Sequence, residues 1–252
     1  MEIFLVTLAS LFAGFVDAIV GGGGLILVPA LFAVYPSSAP ATLLGSNKSA
    51  SIWGSLFASI AYSRRVHLPT ATLLPALLMA FIGSLLGAWL VTLISPDYLR
   101  KCLPFLLFAI LLYTMAKKDM GHRHWPRLQA AYEAWAMGGI GLVLGFYDGF
   151  FGPGTGSFLV FALVRILGYD FLNASASAKL INVATNLAAL ILFSMKGHVW
   201  WHLALPMALA NIAGSLLGTR LALKHGVGFV RVVFLLVVCA LICKTSYDAF
   251  FK

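Results

Sequence analysis

Ten apolar runs, most of them close to bilayer length, divide the sequence and constrain it more than any other feature. A helix rising 1.5 Å per residue needs about 20 apolar residues to cross the hydrocarbon of a membrane. The runs lie near 3–20, 25–35, 42–62, 69–95 and 98–116, and then near 131–151, 157–167, 173–195, 199–222 and 228–251. Those at 25–35 and 157–167 are too short to span alone. Composition agrees: of 252 residues 61 % are hydrophobic and 10 % charged. A soluble domain is nearer half apolar and a quarter charged. Too little polar surface remains to cover a globule, which argues against a soluble enzyme, a secreted disulfide scaffold and a disordered regulator. The expectation is an all-α integral membrane protein with about eight full transmembrane helices and two short glycine-interrupted half-helices.

The start, Met1-Glu2-Ile3-Phe4-Leu5, has no basic segment, and Asp17 interrupts the apolar run before any small-x-small cleavage site. The first helix is therefore expected to stay in the mature protein. Lys and Arg number 17 against 8 Asp and Glu, a formal charge of +9. In a membrane chain this excess reads as cytoplasmic loops following the positive-inside bias, with no nucleic-acid partner. Cys102, Cys239 and Cys243 all sit in apolar runs, without nearby His or Asp, and read as small packing residues rather than a metal site.

The two halves of the chain match at a constant shift of 131. Gly14-Phe15-Val16-Asp17 pairs with Gly145-Phe146-Tyr147-Asp148, Gly21 and Gly23 with Gly152 and Gly154, and Lys48 with Lys179. His67 pairs with His198, Pro75 with Pro206, and Arg100 with Arg231. Gly83-Ser84-Leu85-Leu86-Gly87 recurs unchanged as Gly214-Ser215-Leu216-Leu217-Gly218. An ungapped register of this length marks an internal duplication. The expected division is a first transmembrane repeat at 1–116, a basic cytoplasmic linker at 117–130 and a second repeat at 131–252, forming one membrane domain. Counting alternate crossings back from the linker leaves an odd number per half and predicts inverted repeats. Were 3–35 a single broken span, the count would be even and the repeats parallel; inversion is preferred.

Each short run follows a glycine break, Gly21-Gly22-Gly23-Gly24 in one half and Gly152-Pro153-Gly154-Thr155-Gly156 in the other. Interrupted segments at matching places in two halves point to a transporter binding site, and the half-helices aim their N-terminal N–H groups at the break. Lys48, Ser51 and Ser55 fall at i, i+3 and i+7 on one helix face, as do Lys179, Asn182 and Asn186. A bare ammonium at mid-helix costs about 2.5–3.5 kcal/mol even on lenient insertion scales. Snorkelling to the headgroups would relieve one lysine; two at equivalent positions, each with a polar ridge, favour a wet cavity or a partner. Asp17 and Asp148 either balance those lysines, carry a proton, or cap the broken helices. Gly83/Gly87 and Gly214/Gly218 are small-xxx-small pairs for close helix contact, within or between subunits. His67, His198, Trp200 and Trp201 read as interfacial.

With Gly14–Gly24 and Gly145–Pro153 in view, the chain resembles the sulfite exporter TauE/SafE family, close to its YfcA-like branch. The resemblance covers essentially the whole chain. It implies a bacterial inner-membrane, multi-pass secondary transporter for sulfur-containing anions such as sulfite and organosulfonates. Thr155 stands where the first half has Gly24, and Pro153 interrupts the second glycine run, so the two half-sites are not equivalent. That favours one asymmetric anion.

The resulting expectation is a small anion held between the repeats and moved by alternating access. Substrate contacts are assigned to Lys48, Lys179, Asn47, Ser51, Ser55, Asn182 and Asn186, with Gly22, Gly23, Gly24, Gly152, Gly154 and Thr155 of the breaks. Proton coupling is assigned to Asp17 and Asp148. No catalytic residue, cofactor or metal is expected; the partners are the anion and the bilayer, and a homo-oligomer is compatible. A passive anion channel shares the same lysines. An intramembrane enzyme on a lipid-like substrate would need an acid/base or metal set that is not visible.

Overall fold

The structure is a computed structural model that describes residues 1–66, 68, 70–95, 98 and 128–225. His67, Arg100, Arg231, the three cysteines, nearly all of the run at 98–116, the basic stretch at 117–127 and the run at 228–251 lie outside the described residues. Among the described residues the secondary structure is helical throughout: α1 Glu2–Val20, α2 Gly24–Val34, α3 Pro40–Ser63 and α4 Thr70–Val91. Then come α5 Ala130–Phe150, α6 Thr155–Ala162, α7 Phe171–Met195 and α8 Trp201–His225.

Local chemistry sets several of these boundaries. Gly21 ends α1 at φ 76°, the left-handed conformation that costs a Cβ-bearing residue about 1–2 kcal/mol. Pro40 opens α3, where its missing N–H is not needed. Asp170 caps α7 by accepting from the Asn173 backbone N–H at 2.9 Å. α6 continues into a π-helical turn, Leu163–Leu167, closed by Gly168.

Four helices, α1, α4, α7 and α8, combine the length and apolarity needed to cross a membrane, and α2 and the Thr155–Leu167 stretch are the shorter apolar helices. α3 and α5 reach 24 and 21 residues and carry Lys48 and Asp148. Leu74, Leu78, Ile82, Leu86 and Trp89 form a bare stripe along α4, each between 45 and 58 % exposed. Leu205, Leu209 and Leu217 repeat it on α8 at 52 to 68 %. Such stripes at helical spacing suit hydrocarbon, and the chain is a multi-pass membrane protein.

Contacts recur at the shift of 131. A side chain at Gly83 or Gly87 of α4 would strike the α5 backbone at Leu142 and Phe146; one at Gly214 or Gly218 of α8 would strike α1 at Leu11 and Phe15. The small-xxx-small pairs are thus used inside the chain. Ser84 Oγ donates to Thr185 O of α7 at 2.7 Å, and Ser215 Oγ to Gly54 O of α3 at 2.6 Å. Each fourth helix wedges between the first and third helices of the opposite half. This brings α3 and α7, with their polar ridges, together at the centre.

Candidate functional site

The polar ridge of α3 and that of α7 each place one lysine in a buried stretch of its helix. Lys48 is 2 % exposed and Lys179 3 %, so neither snorkels. Lys48 Nζ donates to Asp148 Oδ2 of α5 at 2.6 Å. Lys179 Nζ donates to Asp17 Oδ2 of α1 at 2.7 Å, and also to the Asp17 backbone oxygen. Each lysine thus reaches the aspartate of the opposite half. Both aspartates thus balance a lysine, and Asp17 also holds its break, its Oδ1 accepting from the Gly23 N–H at 3.4 Å.

Lys48 and the two aspartates line a cavity of about 20 Å³, room for about one water molecule. Six helices contribute to its wall: Asp17 of α1, Gly24 of α2, Asn47, Lys48, Ser51 and Ser55 of α3, Asp148 of α5, Thr155 and Gly156 of α6, and Asn182 and Asn186 of α7. Gly21 and Gly152 complete it from the two breaks. Most of the residues expected from sequence therefore meet in one place. Gly22, Gly23, Gly154 and Lys179 are not part of the wall; Lys179 is bonded to Asp17, which is.

The breaks are held by more than glycine. Ser157 Oγ donates to Val20 O at 2.5 Å and its backbone N–H to Gly21 O at 3.2 Å, tying the start of α6 to the end of α1. The Tyr147 hydroxyl donates to Pro153 O at 2.6 Å, and Tyr62 to Ala18 O at 2.9 Å. Sequence reading missed these positions, and Gly21 and Gly156 as cavity wall. Their counterparts under the 131 shift (Ile26 for Ser157, Val16 for Tyr147, Phe193 for Tyr62) carry no such groups, so the duplication gave no signal.

Farther out, the loop from α7 to α8 closes over the start of α3: Thr42 Oγ1 meets His198 Nδ1 at 3.2 Å, and the Trp200 N–H donates to Ser46 Oγ at 3.0 Å. Burial, and then the Lys196 charge, push the His198 imidazole below its usual pKa, favouring the neutral ring. No group of three or more His, Cys, Asp or Glu side chains suited to a metal ion comes together among the described residues.

Several membrane-length helices, two interrupted segments meeting at the centre and buried charges around a small polar cavity define a membrane transporter. The chain belongs to the sulfite exporter TauE/SafE family, whose sequence profile matches residues 6–245. A probable membrane transporter protein, ORF9, of a Sinorhizobium species is 38 % identical over 241 residues, covering 95 % of this chain and 90 % of its own. The probable membrane transporter YfcA of Escherichia coli K12 is 36 % identical over 241 residues, at 95 and 88 % coverage. One from Haemophilus influenzae is 36 % identical over 253 residues, at 98 % of both chains. No solved structure gives a significant match.

Proposed function

We propose that this protein is a secondary transporter of small anions, sulfite or an organosulfonate, working by alternating access between two inverted repeats in the bacterial inner membrane. The observation that carries the reading is the pair of buried lysines, each joined to the aspartate of the opposite half, with Lys48 and both aspartates lining one polar cavity. Burying an ion pair is a poor route to stability, because well-packed apolar residues often do as well or better. At the meeting point of two broken helices, such pairs serve a charged ligand better than they serve the fold. The choice of sulfur anions rests on the family's name; the lysines and helix N-termini require only a negative charge.

The same geometry suggests how binding drives motion. Each lysine–aspartate bond links one half of the chain to the other, so an anion that competes for a lysine weakens the contact between them. A carboxylate released in a buried site gains from taking up a proton, which makes Asp17 and Asp148 the proton-coupling candidates. The cavity at about 20 Å³ is too small for an anion of several heavy atoms with both pairs closed, as expected of an occluded state.

Purified protein in sealed vesicles, with a pH gradient imposed, tests the reading. Accumulation of sulfite or a sulfonate above its external concentration is the expected result. Flux that only ever equilibrates would mean a channel, and no flux with any anion would remove the proposal.

A further inference from the structure

The two lysine–aspartate pairs share a register but not an environment. Lys48 is the single hydrogen-bond partner of the Asp148 side chain among the described residues, and both residues line the cavity. Lys179 does not line the cavity and is bonded to both the side chain and the backbone of Asp17. The Asp17 carboxylate also accepts from Ser55 Oγ and from the Gly23 N–H, each at 3.4 Å. One pair is held by a single bond beside the space a ligand would enter, the other by several bonds partly behind it.

A second asymmetry lies across the cavity. Asn182 lines it at 5 % exposure, and its Oδ1 has no hydrogen-bond partner. That oxygen can only accept, so its cost of about 1–3 kcal/mol is recovered by a water or by a ligand N–H or O–H, while the amide Nδ2 is the edge that can donate to an oxyanion. Asn182 stands over the first turn of α6: a Cβ on Gly156 would lie 3.0 Å from its Nδ2. On the other flank of that turn, a Cβ on Gly152 would lie 3.1 Å from Lys48 Nζ. An ammonium, a carboxamide and the first residues of the helix that starts at Thr155 therefore line the same small cavity.

Resting on the anion-transport reading, we infer that the two lysines have different jobs: the anion sits at the α6 N-terminus between Lys48 and Asn182, displacing Asp148, while Lys179–Asp17 is a fixed clamp. Asp148 is the place-holder. Its carboxylate occupies the ammonium until a small oxyanion head takes the position, and the freed, buried carboxylate then takes one proton from solution. For a monovalent anion the charge of the site is unchanged by this exchange. The charged and titratable groups around Asp148 are Lys48 from α3, Asp17 from α1 across the cavity, Lys179 from α7 behind it, and Tyr147 on its own helix. Because binding takes up a proton, affinity falls as pH rises.

The test is anion binding to the full chain in detergent, by calorimetry and proton uptake across a pH series, with sulfite, thiosulfate, taurine, sulfoacetate and acetate. Asp148→Asn removes the competing charge; it should tighten binding by roughly tenfold and abolish both proton uptake and pH dependence. Asp17→Asn should not tighten binding. Asn182→Ala should weaken it by roughly tenfold, and this variant, which removes no charge, decides the matter if Asp148→Asn fails to fold. Equal tightening in both aspartate variants, or unchanged affinity in Asn182→Ala, overturns the division of roles while leaving anion transport standing. Absence of binding to wild type and to Asp148→Asn with every anion overturns both.

Discussion

The pair Lys48–Asp148 and the pair Lys179–Asp17 stand at equivalent register positions, yet one is more deeply buried and singly bonded and the other is braced and more exposed. The Asp148 side chain is 5 % exposed and that of Asp17 18 %. Lys179 has a backbone carbonyl as a second acceptor; Lys48 has none among the described residues. The 131-residue register holds two copies of a charged bond, and the residues around each copy decide what the bond can do. A symmetric pair of sites would hold two ligands equally. Divergence at Ser55/Asn186, Ser51/Asn182 and Gly24/Thr155 leaves one side able to exchange its partner and the other to hold it.

The largest expected effect separates the two pairs directly. Asp148→Ala leaves Lys48 buried without an acceptor, and unfolding in detergent should show a loss of about 3–5 kcal/mol. Asp17→Ala should cost clearly less, because the Asp17 backbone oxygen still accepts from Lys179. Equal losses would erase the contrast. Lys48→Met combined with Asp148→Ala should recover much of the loss while ending anion binding.

A second comparison concerns the breaks. Gly21→Ala places a Cβ at φ 76° against the Gly156 and Ser157 backbone, where nothing can yield, and should cost more than about 2 kcal/mol. Gly152→Ala is also strained, at φ 95°, but its nearest neighbour is the far end of a side chain, Lys48 Nζ at 3.1 Å, rather than backbone. It should fold better than Gly21→Ala and bind anion worse. Thermal midpoints and binding isotherms of the two variants give the ordering, and the reverse order would place the rigid joint on the wrong side.

The smallest effect tests where symmetry does hold. Ser84→Ala and Ser215→Ala each remove one bond from a fourth helix to the third helix of the other half. Each should cost about 1 kcal/mol, and the two should agree closely. A difference as large as that between the aspartate variants would extend the asymmetry from the site to the scaffold.

Much of this was legible before any coordinates. Run lengths separate the membrane helices, because a fixed bilayer thickness demands a fixed number of apolar residues. The 131-residue shift pairs Lys48 with Lys179 and Asp17 with Asp148 without reference to space. The polar ridges of α3 and α7 follow from helical periodicity alone. Which aspartate each lysine meets was not legible: the partners lie 100 and 162 residues away, and only the packing of one half against the other brings them together. Nor could periodicity show that Lys179 reaches Asp17 without lining the cavity while Asn182 Oδ1 is left unbonded beside it. Local pattern depends on neighbours in the chain, so the sequence by itself determined the helices, their polar faces and the 131-residue register. The choice of ion-pair partners, the different bonding of the two pairs, and the size of the cavity depend on side chains from six helices filling one space, and those only the tertiary structure decided.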